Sequence, residues 1–264
     1  MLKKKRVVFF AVLFLAVLFL GFTGFLLRHR VPPILMYHSV NPQVNPIMKA
    51  LIVSPAAFEK QLSFLKRNNY NVLPLEKMID LISEGKLPPK AIALTFDDGY
   101  RDFYTYAFPV LRKYGMPATM FIIVNEVGRK EGDRLSWEEI KEMQGSGLIT
   151  FGSHSMDAEP LINIESEERI KRNIFQSKRD LEDKLGCAVT MFSYPEGFLN
   201  KRIRDLVIEA GYKLAVSTKT GRCYPARDRF ALKRIRISES AKNPLNLWIK
   251  ASGYHTFFKD RKCR

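Results

Sequence analysis

The sequence of 264 residues is poor in cysteine and lacks the cysteine patterns that bind metal. Its three cysteines are Cys187, Cys223 and Cys263, and no two of them form a Cys-x-x-Cys pair. Structural zinc sites built on cysteine need such pairs, so a site of that kind is excluded. An oxidising compartment would permit one disulfide, for which Cys187 with Cys223 is the favoured pair. The odd number and wide spacing favour small buried or terminal residues without a function instead.

Internal repeats, low-complexity stretches and nucleic-acid-binding motifs are also absent from the sequence. The formal net charge is +16, which suits an anionic partner in general. The basic residues are scattered through predicted helices and gathered at both termini, and no arginine-rich run alternates with aromatic residues. We therefore expect no nucleic-acid partner. A basic surface next to anionic lipid or an anionic cell-wall polymer fits this distribution better.

Charged residues are missing from positions 7–27, and four basic residues precede this apolar run. At about 1.5 Å per helical residue, a run of this length crosses the ~30 Å hydrocarbon core of a bilayer. Cleaved signal peptides have shorter apolar regions of about 7 to 15 residues. Residues 1–30 are therefore expected to form a basic start and one uncleaved transmembrane helix. Because only Arg28 and Arg30 follow the run closely, the positive-inside bias predicts a single-pass protein of the cell membrane with its main domain outside.

The remaining chain alternates between strand and helix patterns. This alternation predicts an α/β fold with a parallel sheet and outer helices, most simply a barrel. Its length suits one domain, assigned to residues 31–240, followed by a surface helix and a basic tail in residues 241–264. The predicted strands are residues 34–38, 70–73, 91–96, 118–123, 149–152, 189–193, 214–217 and 234–237. The predicted helices begin at 55 and 136 or cover residues 75–85, 102–114, 165–185 and 200–210.

Two adjacent carboxylates, Asp97 and Asp98, follow the apolar strand at residues 91–96. Parallel sheets and barrels place their chemistry at the carboxyl ends of strands, which makes both residues candidates for function. Successive strand side chains diverge, which argues against the facing carboxylates of a glycosidase. Taken alone, an Asp-Asp-Gly turn can equally well serve only to cap the helix that follows.

Several segments, in order along the chain, resemble motifs of the polysaccharide deacetylase (NodB-homology, carbohydrate esterase) family. The resemblance covers about residues 31–237 and implies an irregular (β/α) barrel of about seven parallel strands. It also implies a metal-dependent hydrolase that removes N-acetyl groups from an N-acetylhexosamine-containing polysaccharide. The matching segments are LTFDDGY at 94–100, PATMF at 117–121, GSHS at 152–155, FSYPEG at 192–197, AGY at 210–212 and LKRI at 232–235.

The resemblance also implies roles for individual residues. Asp97 matches the catalytic base, and Asp98 and His154 match ligands of a divalent metal, for which zinc is the expected ion. Met36-Tyr37-His38 is similar to the segment that supplies the catalytic acid in members with a permuted arrangement, so His38 is the expected acid. Imidazole is a natural acid near neutral pH. The alternative for His38 is a core histidine that is hydrogen-bonded to a backbone carbonyl.

Three positions depart from the family pattern, and two of them concern the metal site and the base. Ala158 stands four residues after His154, where the second metal-binding histidine is expected, and a methyl group cannot bind a cation. Asp157, three residues after His154, shares the same helical face and is the best local substitute as a ligand. Ser193 stands where many members have an arginine that braces the base, and Arg234 is expected to take over that role.

Substrate contacts are expected at Tyr100, Tyr194, Pro195, Glu196 and Arg234. Glu196 replaces the usual aromatic residue, although its backbone N–H can still stabilise an oxyanion because that role needs no side chain. The departures leave a second function open, namely a catalytically inactive deacetylase-like protein that binds glycan. A tethered scaffold without a ligand is a third possibility, and it predicts that the candidate residues do not cluster.

Overall fold

A computed structural model of the chain shows a nearly closed barrel of eight parallel strands with helices on its outside. The structure describes residues 30–43, 50–129, 131, 133–218 and 228–255, together with positions 9, 10, 13–15, 17–19, 21 and 24. The prediction of a parallel (β/α) barrel is confirmed. A small parallel pair formed by β2 (Ser39–Val40) and β3 (Ile52–Val53) was not predicted.

Over the described ranges, the sheet has nine strands, eight in the barrel and a further strand, β4, beside β5. They are β1 (Ile34–Tyr37), β4 (Asn71–Val72), β5 (Ala91–Phe96), β6 (Ala118–Ile122), β7 (Ile149–Ser153), β8 (Met191–Ser193), β9 (Leu214–Ser217), β10 (Leu232–Lys233) and β11 (Ile235–Arg236). Every pairing in the sheet is parallel, which requires each connection to return across the outside of the barrel. The strands of the barrel follow one another in the order β10-β9-β8-β7-β6-β5-β1-β11.

The last two strands bring the edges of the sheet together. β10 pairs with β9, β11 pairs with β1, and Arg234 alone separates the two strands in the chain. The sequence predicted one strand here, at residues 234–237, and about seven strands in total. The structure has β11 within this segment and adds β10 directly before Arg234, so β10 and β11 together occupy one of seven positions around the barrel.

Capping residues begin several of the helices at the predicted places. The Ser54 side chain accepts a hydrogen bond from Ala57 N, and Ser136 and Glu139 form a capping box. Two predicted helices contain a π-helical turn, at Phe103–Ala107 and at Arg172–Gln176. The α-helices are α1 (Pro55–Arg67), α2 (Leu75–Ser83), α3 (Phe108–Tyr114), α4 (Trp137–Gly145), α5 (Glu167–Lys171), α6 (Ser177–Leu185), α7 (Lys201–Glu209) and α8 (Pro244–Ala251).

Alternate strand residues contribute to two buried clusters. Leu35 and Tyr37 of β1 pack in the larger cluster, where the Tyr37 and Phe96 rings stack with centroids 4.9 Å apart. Ile34 belongs to the second cluster, together with Phe121 of β6. Because side chains alternate along a strand, one strand can serve both clusters. This packing fixes the strand register and therefore the positions of the residues that follow each strand.

The two ends of the chain are described only in part. Within the described residues, no helix is long and apolar enough to cross a membrane. About half of the predicted span at residues 7–27 lies outside the described residues, as do Cys223, Cys263 and the tail from residue 256. Cys187 is exposed, which corrects the expectation of a buried residue. The predicted C-terminal surface helix is present as α8.

Candidate active site

A cavity of about 690 Å³ opens where the barrel strands end. His38 follows β1, Asp97 and Asp98 follow β5, and His154 follows β7. Parallel strands bring their carboxyl ends to one rim, so four residues that are far apart in the sequence line one cavity. The scaffold alternative predicted no such cluster. The cavity is lined by His38, Ala50, Leu51, Asp97, Asp98, Ile123, His154, Ala158, Pro195, Glu196, Phe198, Thr218 and Arg236.

Left-handed backbone conformations occur at three non-glycine residues of the site. Asp98 has φ 73°, Ser155 has φ 77° and Glu196 has φ 53°. Each such conformation costs about 1–3 kcal/mol and persists only where the surrounding structure holds it. At Asp98 and Ser155 the chain turns sharply immediately after a buried strand. Asp98 itself, and His154 directly before Ser155, line the cavity beside these turns.

Asp97 is held by a buried ion pair with Arg234. Arg234 Nη1 and Nη2 donate hydrogen bonds to the two Asp97 carboxylate oxygens at 2.7 and 2.6 Å. Arg234 is fully buried and also donates to Ser193 Oγ at 3.0 Å and to Thr95 Oγ1 at 3.3 Å. Burial alone would raise the pKa of Asp97, but the charge of Arg234 outweighs it and lowers this pKa to about 2. Asp97 is therefore ionised across the ordinary pH range.

His154 is oriented by a backbone carbonyl. Its Nδ1 lies 2.8 Å from Ser193 O, which fixes Nδ1 as the donor and turns Nε2 toward the carboxylates. Nε2 lies 3.4 Å from Asp98 Oδ1 and 4.0 Å from Asp97 Oδ2. Burial opposes the charged imidazole, but the negative charges of Asp97 and Asp98 outweigh it and raise the pKa of His154. A carbonyl behind a histidine ring is the arrangement that orients ligand histidines in metal sites.

His38 borders the same cavity without a protein partner for one ring nitrogen. Its Nδ1 is buried and has no hydrogen-bond partner among the described residues. The alternative of a core histidine requires a hydrogen bond to a backbone carbonyl, and Nδ1 makes none to the described residues. Burial lowers the pKa of His38, although the nearby charges of Asp97 and Asp98 act in the opposite direction. The ring is therefore mainly neutral near pH 7.

The donors present fit a divalent cation only in part. Asp98 and His154 supply one carboxylate and one imidazole, which are suitable ligands for zinc. Asp157, the expected third ligand, is turned away because its Oδ1 accepts a hydrogen bond from Asn125 Nδ2 at 2.6 Å, while Ala158 lines the cavity in its place. In the described part of the chain, no three His, Cys, Asp or Glu residues are grouped as metal ligands would be. We therefore expect any cation here to be held by two protein ligands, and weakly.

Three predicted substrate-binding residues lie elsewhere. Tyr194 is fully buried, and its hydroxyl donates to Phe230 O at 2.9 Å, so it supports the core. Tyr100 packs under the Arg134 guanidinium, 4.1 Å from its ring centroid. Arg234 was predicted both to brace Asp97 and to contact the substrate. It does brace Asp97, but the full burial of Arg234 excludes direct contact with a substrate. Pro195 and Glu196 do line the cavity.

The sequence interpretation missed Arg236 and Phe198, which also line the cavity. Both are exposed, with 39% of Phe198 accessible. Arg236 stands two residues after Arg234, and residues at that spacing on an extended segment share a face. The two-residue spacing from Arg234 was therefore the sequence pattern that could have identified Arg236. Phe198 lies in the segment after the FSYPEG motif and carried no comparable signal.

Comparisons with known proteins agree with this geometry. Residues 84–215 match the family model for polysaccharide deacetylases. The chain is 34% identical to YxkH of Bacillus subtilis over 207 residues, which are 78% of this chain and 71% of that protein. It is 29% identical over 219 residues to the poly-β-1,6-N-acetyl-D-glucosamine N-deacetylase of Staphylococcus aureus, covering 79% of this chain and 74% of that protein.

Solved structures show the same fold. The deacetylase PplD of Streptococcus pyogenes, in complex with acetate, superposes with a TM-score of 0.73 and 31% identity, covering 82% of this chain and 97% of that chain. IcaB of Ammonifex degensii superposes with a TM-score of 0.74 and 27% identity, covering 84% of this chain and 97% of that chain. The motifs predicted both the family and an enzyme, and these matches confirm them: the chain belongs to the polysaccharide deacetylase family and is an enzyme of that type.

Proposed function

We propose that this enzyme hydrolyses the N-acetyl amide of N-acetylhexosamine units in a polysaccharide outside the cytoplasmic membrane. The observation that carries the proposal is the convergence of His38, Asp97, Asp98 and His154 on one open cavity at the strand ends. The name of the Staphylococcus aureus relative supports a β-linked N-acetylglucosamine polymer as the substrate class. The predicted anchor at residues 7–27 supports the location.

The side chains of the cavity divide the reaction between them. Water attacks the acetyl carbon and gives its proton to Asp97, which Arg234 holds ionised and in a fixed orientation. The C–N bond then breaks, and the protonated fraction of His38 supplies the proton that the departing amine needs. The proton that Asp97 took from water then returns to His38, so the products are acetic acid, which ionises to acetate, and a free amino sugar. These proton transfers depend on side chains that face the same cavity from different strands.

The low pKa of Asp97 makes it a weak base, which is why metal dependence is part of the proposal. A divalent cation held by Asp98 and His154 would make a neighbouring water more acidic. Because Ala158 replaces the third ligand, we expect weaker cation binding than at a site with three protein ligands, and activity that rises with added metal.

Acetate release from an N-acetylglucosamine oligomer tests the proposal. We expect release by the full chain with excess zinc, loss of release with a chelator, and a fall of at least about 10²-fold for Asp97→Asn. Asp157→Ala is the matched control, because its carboxylate bonds to Asn125 rather than facing the cavity, and it should keep wild-type activity. Release that persists undiminished in chelator would refute the metal-dependent form.

The second candidate function is glycan binding without turnover, and Ala158 is the observation that favours it. This candidate predicts binding of the oligomer but no acetate release at any metal concentration. Ala158→His separates the two functions, because a third ligand should tighten metal binding in either case. If the wild type released no acetate and Ala158→His did, the wild-type chain would be the form that binds glycan without turnover.

A further inference from the structure

Helix α8 presents an unusual apolar face on the outside of the barrel. Leu245, Trp248 and Ile249 are 62%, 53% and 40% exposed, whereas Leu247 and Ala251 of the same helix are buried against the core. The three exposed residues are three and four positions apart, so they share one face. We call these three residues the α8 face. Exposed apolar residues grouped in this way indicate an interaction surface.

The end of α8 is fastened to the residues that follow the predicted membrane span. Val31 N donates to Gly253 O at 3.0 Å, and Arg30 Nε donates to Ser252 O at 3.2 Å. The contact is close, because a Cβ atom at Gly253 would lie 2.7 Å from Arg30 Cγ and 2.8 Å from Val31 O. Gly253 also has φ 86°, which favours glycine. Any membrane that the span enters therefore lies near the end of α8.

Chain length limits how far away that membrane can be. Residues 28–30 separate the predicted span from Val31, and three extended residues reach about 10 Å. Trp248 and Ile249 precede Gly253 by five and four residues, which is about 6 to 8 Å along a helix. The headgroup region adds about 5 to 8 Å beyond the hydrocarbon core. The α8 face is thus within reach of the lipid headgroups.

Residue types at this place match a lipid surface. Tryptophan favours the membrane interface, where its ring is apolar and its N–H meets water. The sequence adds Arg28 and Arg30 on one side and Lys259, Arg261, Lys262 and Arg264 after α8, and basic residues beside a bilayer attract anionic headgroups. We infer that the α8 face docks on the anionic lipid surface into which the predicted N-terminal span is anchored. The inference rests on that predicted span and is independent of the chemistry in the cavity.

Docking through α8 would also determine how the cavity is presented. The anchor joins the barrel before β1 begins, while the cavity lies where β1, β5 and β7 end. Contact through a helix on the side of the barrel holds the barrel against the bilayer at a second point. The two attachments together would limit how the barrel can turn relative to the bilayer, and therefore the direction in which the cavity faces.

Fluorescence quenching tests this contact in the full chain. The chain has two tryptophans, so Trp137→Phe leaves Trp248 as the sole emitter and Trp248→Phe leaves Trp137, which begins α4. Each variant is reconstituted in phosphatidylcholine vesicles that contain phosphatidylglycerol and lipids brominated near the headgroup. We expect Trp248 to lose about half of its emission, as an interfacial ring does, and Trp137 to be little affected.

Further variants and outcomes decide the inference. Changing Leu245 and Ile249 to serine in the Trp137→Phe background should restore most of the Trp248 emission, because the face then loses its apolar contact with lipid. Equal quenching of the two tryptophans, or none of either, would overturn the inference. Trp248 emission that is blue-shifted but unquenched would also overturn it, since the face would then be covered by protein, such as a second copy or residues 256–264.

Discussion

Replacing Arg234 by methionine should strongly destabilise the barrel, because it leaves the Asp97 carboxylate charged and buried. The guanidinium is fully buried and makes two hydrogen bonds to Asp97, which is 1% exposed. Removing one partner of a buried ion pair costs about 3–5 kcal/mol. Barrel closure adds to this effect, since Arg234 stands between the strands that join the two edges of the sheet. Lys233→Met is the matched control, because it removes a positive charge from the same segment at a half-buried position.

Chemical and thermal unfolding measure this prediction. A loss of about 3–5 kcal/mol corresponds to a fall in Tm of roughly 6–20 °C for a domain of this size. The low pKa of Asp97 contributes stability that is present above the ordinary value of 3.8 and is lost as the pH falls toward about 2. The gap between wild type and Arg234→Met should therefore be largest near pH 7 and shrink in that acidic range. A loss below about 1 kcal/mol, or one equal to that of Lys233→Met, would refute the reasoning.

Three further outcomes are expected. Gly152→Ala should destabilise the chain by about 1–3 kcal/mol, because the new methyl group would lie 2.6 Å from Phe121 Cε1 and 2.9 Å from Met191 O; an unchanged unfolding midpoint would contradict this packing. If His38 donates its proton to the amine, kcat/KM should decline as the pH rises, with a midpoint below 6.5, since burial lowers its pKa, and His38→Gln should abolish that dependence. Protease added to intact spheroplasts should digest the domain if residues 7–27 anchor it outside, whereas protection until lysis would reverse the predicted orientation.

The sequence by itself determined four candidate residues that converge on the cavity. An apolar strand that ends on Asp97 and Asp98, and a second that ends before His154, are local patterns, and parallel strands gather such ends at one rim. The family motifs added His38 and identified the missing ligand at Ala158. All four of these candidate residues line the cavity, because their positions depend only on where each strand ends.

Tertiary structure alone decided how those residues are supported. Arg234 lies 137 residues from Asp97. Its motif was compatible both with bracing Asp97 and with contacting the substrate. Only closure of the barrel buries the Arg234 guanidinium against the Asp97 carboxylate. Asp157 has a suitable spacing from His154, but the chain leaves β7 in a left-handed turn at Ser155 instead of a helix, so the i+3 rule does not apply. Tyr194 stands in a motif yet faces the core. Side-chain direction after a strand is fixed by turns and long-range packing, which local patterns do not specify.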